Sequence, residues 1–132
     1  MYAQIAEDTS ERPTLSVLQL SDVHLDFSYQ PGTKEDCGDA ACCRTEVGYP
    51  PAGEPGAGEW GSLHCDLPMK TFGTLLDYIT NTVKPDLIVW TGDNTAHNVW
   101  TNTADETTIY TITVTNMIKM ALKDSNITLL PI

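Results

Sequence analysis

The sequence predicts an α/β fold built on a parallel sheet. Three short apolar runs, residues 15–20 (LSVLQL), 86–90 (DLIVW) and 127–130 (ITLL), read as strands, and two stretches with apolar residues at helical spacing separate them. An acidic loop follows each of the first two runs, Ser21-Asp22-Val23-His24 and Thr91-Gly92-Asp93-Asn94. The order is therefore β-loop-α-β-α-β, and right-handed crossovers bring the strand ends to one edge of the sheet.

Each element has a local reason. Residues 15–20 are short, apolar and compatible with a strand, and residues 1–14 before them read as a disordered polar tail carrying Glu7, Asp8 and Glu11. The polar stretch 27–66 holds all four cysteines and a Pro/Gly-rich run, residues 49–61 (YPPAGEPGAGEWG). A loop of that length inside a small domain is functional or disordered unless something ties it down, and the cysteines predict that it is stapled. Leu67-Pro68 is expected to open a helix, because proline is tolerated in a first turn. Met69, Phe72, Leu75, Leu76, Ile79 and Val83 then form one apolar stripe, and Lys84-Pro85 ends it. The run 86–90 is apolar throughout, as a strand buried on both faces would be. Thr103-x-x-Glu106 fits a capping box for a second helix, with Tyr110, Val114, Met117, Ile118, Ala121 and Leu122 as its stripe. Threonines at 107, 108, 111, 113 and 115 weaken that helix. Residues 15–132 are read as one domain.

The formal net charge is −11, from 18 acidic and 7 basic residues. That argues against a nucleic-acid polymer as partner, since phosphate contacts need clustered Lys and Arg. It does not exclude a phosphate ester, because bound cations reverse the local sign. No stretch approaches the ~20 apolar residues of a transmembrane helix. The first residues lack the apolar core of a secretory leader.

Cys37, Cys42, Cys43 and Cys65 allow three pairings. Adjacent Cys42 and Cys43 are poorly placed to bridge each other, because a disulfide wants Cα atoms ~5.5 Å apart. Two pairings remain: Cys37–Cys42 with Cys43–Cys65, or Cys37–Cys43 with Cys42–Cys65. A zinc site on the same cysteines is the competing reading, but the spacing lacks the usual C-x2-C pair. Disulfides imply an oxidising compartment, hence a secreted or lysosomal protein.

Asp22 and His24 stand two residues apart just past the first strand. In extended backbone they project to one side, and a carboxylate with an imidazole suits zinc, manganese or iron. Asp93 occupies the matching place after the second strand, and Gly92 lets the chain turn tightly there. Neighbouring strands lie ~5 Å apart, so a carboxylate between the loops can serve two ions ~3.5–4 Å apart. Either motif alone is weak, since D-x-H and G-D also occur as plain turns; their coincidence at one sheet edge carries the reading. His64, beside Cys65, reads as a solvent-exposed histidine, and Trp60, Trp90 and Trp100 as packing residues. Asn126-Ile127-Thr128 is an N-glycosylation sequon.

The segments LQLSDVHLD and IVWTGDNTAHNVW resemble the calcineurin-like metallophosphoesterases. More narrowly they resemble the acid sphingomyelinase and sphingomyelinase-like phosphodiesterase group. The narrower likeness rests on Cys37 with Cys42-Cys43, Pro50-Pro51, Gly56-Ala57-Gly58-x-Trp60-Gly61, Cys65-Asp66-Leu67-Pro68, and Ala96-His97-x-Val99-Trp100, and runs from about Val17 to Ile132. The resemblance implies a metallophosphoesterase β-sandwich flanked by helices, of which this chain carries part. It implies two zinc ions, with Asp22 and His24 on the first, Asp93 bridging both, and a bridging hydroxide that attacks phosphorus. It implies His97 as proton donor to the leaving oxygen, and the pairing Cys37–Cys42 with Cys43–Cys65. The group's next motif, Gly-Asn-His-Glu, would follow the third strand, where this sequence reaches Pro131-Ile132. The expectation is thus the N-terminal portion of a phosphodiesterase domain, inactive or nearly so alone, acting in full on a lipid or nucleotide phosphodiester and touching a lipid surface. The alternatives are a disulfide-stapled extracellular binding module or inactive pseudoenzyme with a vestigial metal site, and a cytosolic metallophosphatase with free thiols.

Overall fold

The apolar runs form strands, and acidic turns leave them at one edge. The computed structural model describes residues 13–39 and 41–132; the tail expected at the N-terminus lies, through residue 12, outside the described residues. The regular elements follow in the order β1 (Val17–Leu20), β2 (Leu25–Asp26), β3 (Leu67–Pro68), α1 (Met69–Tyr78), β4 (Leu87–Trp90), α2 (Ala104–Leu122) and β5 (Thr128–Pro131). β1, β4 and β5 make one parallel sheet in that spatial order. Leu20 pairs with Trp90 and Trp90 with Pro131, so the three carboxyl ends are level.

α1 and α2 touch each other, and both pack on one sheet face. Phe72, Leu76 and Ile79 from the first crossover and Val114 and Ile118 from α2 join Leu20, Ile88 and Trp90 in a single buried cluster. Burial of this kind contributes roughly 1.5–3 kcal/mol per large apolar side chain. The stripe on α1 is narrower than its sequence suggests, because Met69, Leu75 and Val83 remain exposed. β4 likewise departs from expectation: burial alternates along it, so one face is deep and the other shallow, since both helices lie on the same side.

Helix ends follow local chemistry. The Thr103 side chain accepts from the Glu106 N–H while Glu106 reaches back to the Thr103 N–H, which completes the capping box. The Glu106 carboxyl lies below its usual range, because the Thr103 N–H and then the Thr103 hydroxyl hydrogen-bond to it. α1 runs into a π-helical turn, Ile79–Val83, and ends at Lys84 in the left-handed conformation just before Pro85.

Leu67-Pro68 does not open α1. It forms β3, paired in parallel with β2, and the Leu67 N–H donates to the His24 carbonyl at 3.1 Å. The hydrogen bond available to Leu67 in extended backbone decides the matter, and Pro68 becomes the extended N-cap at φ −71°.

The long loop is tied down throughout. Disulfides join Cys37 to Cys42 and Cys43 to Cys65, and the cysteines are neither free thiols nor zinc ligands. A backbone ladder links Gly32 and Thr33 to Ala57. Beside it, Gly56 lies so close to Gly32 that an added Cβ would meet the Gly32 carbonyl oxygen at 2.3 Å, which is why this position takes glycine. Trp90 is buried as expected, whereas Trp60 and Trp100 are 54% and 61% exposed. Trp60 sits on the outer loop, its ring 4.0 Å from the Lys70 ammonium, and so does not serve as a core residue.

Candidate metal centre

The two acidic turns are hydrogen-bonded to each other. The Asp22 N–H donates to the Gly92 carbonyl at 3.0 Å, that of His24 to Asp93 at 3.3 Å, and that of Leu25 to Asn94 at 2.9 Å. The sheet register thus continues past the strands as paired turns. Asp22, His24 and Asp93 all have positive φ, at 54°, 38° and 54°. Left-handed backbone at non-glycine residues costs of order 1–3 kcal/mol and gathers at functional sites. The geometry is not the extended i, i+2 projection expected from sequence; the left-handed turns aim the side chains instead.

One ligand atom from each of Asp22, His24 and Asp93 lies within 4.8 Å of the others. His24 Nδ1 is 2.7 Å from the Thr95 carbonyl, so it carries the proton and Nε2 keeps its lone pair. Nε2 points toward Asp93, 3.6 Å from its carboxylate. An imidazole oriented through its far nitrogen is the usual arrangement of a metal-binding histidine, and two carboxylates with one such imidazole fit a divalent cation.

His97 stands beside this triad. Its ring stacks on that of His24, with centroids 4.0 Å apart and planes 28° apart. Asp66 holds it twice: one carboxylate oxygen accepts from the His97 N–H at 2.8 Å, and the other is 2.6 Å from Nδ1. Asp22, His24, Asp66 and His97 line one cavity of about 610 Å3, together with the loop residues Trp60 and Leu63. His64 is exposed and absent from it. Asn126 is exposed at the opposite end of the sheet, just before β5.

A second group of polar residues supports the site from beneath. Arg44 Nε donates to Asp26 at 2.8 Å, with both side chains almost fully buried, and its other arm reaches Asn98, next to His97, at 3.1 Å. Burial opposes the Arg44 charge, but the hydrogen bond and charge of Asp26 more than offset it and raise its pKa. Burial also raises the Tyr110 phenol, helped by the charge of Asp26. The Cys43–Cys65 bridge joins the residues next to Arg44 and Asp66, so one disulfide anchors both grips on the His97 segment. Asp66 and Asp26 lie inside segments that carry the family resemblance, Cys65-Asp66-Leu67-Pro68 and LQLSDVHLD, but residue type assigns neither a role there, and Arg44 lies in no such segment.

No family model matches the chain. It is 42% identical over 107 residues, 80% of its length, to a sphingomyelin phosphodiesterase of Homo sapiens. It is 39% identical over 109 residues, 81% of its length, to sphingomyelin phosphodiesterase B of Dictyostelium discoideum. An endopolyphosphatase of Neurospora crassa is 36% identical over 83 residues, 61% of the chain and 10% of that protein. The chain is thus a homologue of the sphingomyelin phosphodiesterases. It spans 17% of the length of the two sphingomyelin phosphodiesterases named.

Proposed function

We propose that the chain is the N-terminal portion of the catalytic domain of a metal-dependent phosphodiesterase. The domain would have the calcineurin-like metallophosphoesterase sandwich and would hydrolyse a P–O bond of sphingomyelin or a related lipid or nucleotide phosphodiester. The observation that carries this reading is the convergence of Asp22, His24 and Asp93 within 4.8 Å. The names of the relatives support the substrate class, and the likeness to an endopolyphosphatase supports a wider phosphate-ester-cleaving group.

Asp22 and His24 would hold one ion, and Asp93 would be shared with a second whose remaining ligands come from other segments. When bound, a pair of divalent ions, zinc in this proposal, supplies Lewis-acid chemistry that activates water and offsets charge on the phosphoryl oxygens. His97 faces the same cavity and donates the proton that the leaving oxygen needs as its bond to phosphorus breaks. Such a donor contributes typically ~10²–10⁴-fold.

The two disulfides support a secreted or lysosomal location. Among the described residues no helix is long and apolar enough to cross a membrane. The exposed sequon at Asn126, remote from the triad, is a proposed glycan site, which a mass shift on enzymatic deglycosylation checks.

Asp93→Asn tests the function in the full-length protein. Metal content and phosphodiester turnover should both fall, turnover by ~10²-fold or more. Unchanged zinc content with unchanged turnover would remove Asp93 from the centre, and absence of phosphodiester turnover in the wild-type full-length protein would favour a binding module.

A further inference from the structure

We infer that Asp66 is a positioning residue that keeps the His97 proton on Nδ1, so that Nε2 is the atom presented to the cavity. The inference rests on the reading of His97 as proton donor and adds the group that aims it. A buried carboxylate that served only to close a turn would need the backbone N–H of His97 and no more. Asp66 spends its second oxygen on the ring itself, at 2.6 Å, with its side chain only 6% exposed. The backbone bond fixes where the residue sits, the ring bond fixes its rotation, and the stack on His24 fixes its plane. Asp66 is in turn immobilised by the Cys65 bridge and by β3, whose Leu67 is bonded to the His24 backbone. The same strand pair therefore locates both histidines. Each has its Nδ1 engaged, by Thr95 in one case and Asp66 in the other, and Nε2 left over.

During cleavage the oxygen of water bonds to phosphorus and loses a proton to solvent, and the bond from phosphorus to the leaving oxygen breaks with its electron pair on that oxygen. The His97 ring, doubly protonated at the start of the step, transfers its Nε2 proton to that oxygen and is left neutral with its remaining proton on Nδ1. Asp66 accepts a hydrogen bond from Nδ1–H before and after the transfer. An asparagine at this place can turn its NH2 toward Nδ1, which forces the neutral ring to carry its proton on Nε2. In a histidine held by an aspartate elsewhere, that tautomer error costs ~10⁴-fold in turnover.

The experiment compares wild type, Asp66→Asn, Asp66→Glu and His97→Asn in the full-length protein. Two phosphodiesters are used, one with an alkyl alcohol and one with p-nitrophenol as leaving group. Asp66→Asn should lower kcat for the alkyl substrate by ~10²-fold or more, with KM little changed. It should spare the p-nitrophenyl substrate, whose leaving group needs no proton, and Asp66→Glu should recover part of the loss. Equal losses on both substrates, or none on the alkyl one while His97→Asn is slow, would overturn the positioning role and leave the phosphodiesterase reading intact. Full activity of His97→Asn would overturn the donor reading itself. Nitrogen-15 spectra of the wild-type protein decide the matter even if Asp66→Asn fails to fold: the neutral His97 ring should carry its proton on Nδ1, and a proton on Nε2 contradicts the proposal.

Discussion

The paired turns at the sheet edge and the stapled loop between residues 27 and 66 reach order by opposite routes. The turns inherit theirs from β1 and β4, whose register carries on through hydrogen bonds from Asp22, His24 and Leu25 to residues 92–94. The loop has little regular structure and holds its shape by two disulfides, a buried Arg44–Asp26 pair and a glycine contact at residue 56. The first region supplies the candidate metal ligands. The second supplies Asp66, which grips the His97 ring. A centre of this kind therefore needs both, and damage to one region should be separable from damage to the other.

The largest separable effect is expected from Arg44→Met. It strands the Asp26 carboxylate, 1% exposed, without its cation, and such a loss costs about 3–5 kcal/mol. Denaturant unfolding should show it, and the Asn98 contact beside His97 goes with it. A loss under 1 kcal/mol would mean that water already reaches the pair. Replacing Cys43 and Cys65 together by serine opens a bridge spanning 22 residues and should cost about 3 kcal/mol. That variant sharpens the comparison, because divalent-metal affinity at Asp22, His24 and Asp93 should survive while the His97 ring loses its fixed orientation. Loss of metal binding in the serine variant would show that the turns depend on the loop after all.

The difference between the regions also explains what could be read before the structure. β1, β4, β5 and the start of α2 are local signals: apolar runs, and a threonine three residues before a glutamate. The triad was legible because each of its residues sits directly after a strand. β2 and β3 are two residues each, too short for any periodicity, and they form because Leu25 and Leu67 find each other across the stapled loop. The positive φ values at Asp22 and His24 are only weakly marked in residue type, since neither is glycine, although Asp and His enter left-handed backbone more readily than most residues. Asp66 and His97 lie 31 positions apart, and only the Cys43–Cys65 bridge and the β2–β3 pairing bring that carboxylate to the site. Trp60 and Trp100, bulky and apolar, read as packing residues from sequence, yet they stand on loops with more than half of each exposed.

If Asp22, His24 and Asp93 together hold a divalent cation, titration of Zn2+ into the protein should shift the nitrogen-15 resonance of His24 Nε2 saturably, with Nδ1 remaining protonated on the Thr95 carbonyl, and Asp93→Asn should lose most of that affinity. A His24 resonance unmoved by zinc, or one that responds identically with and without the Asp93 carboxylate, would contradict it.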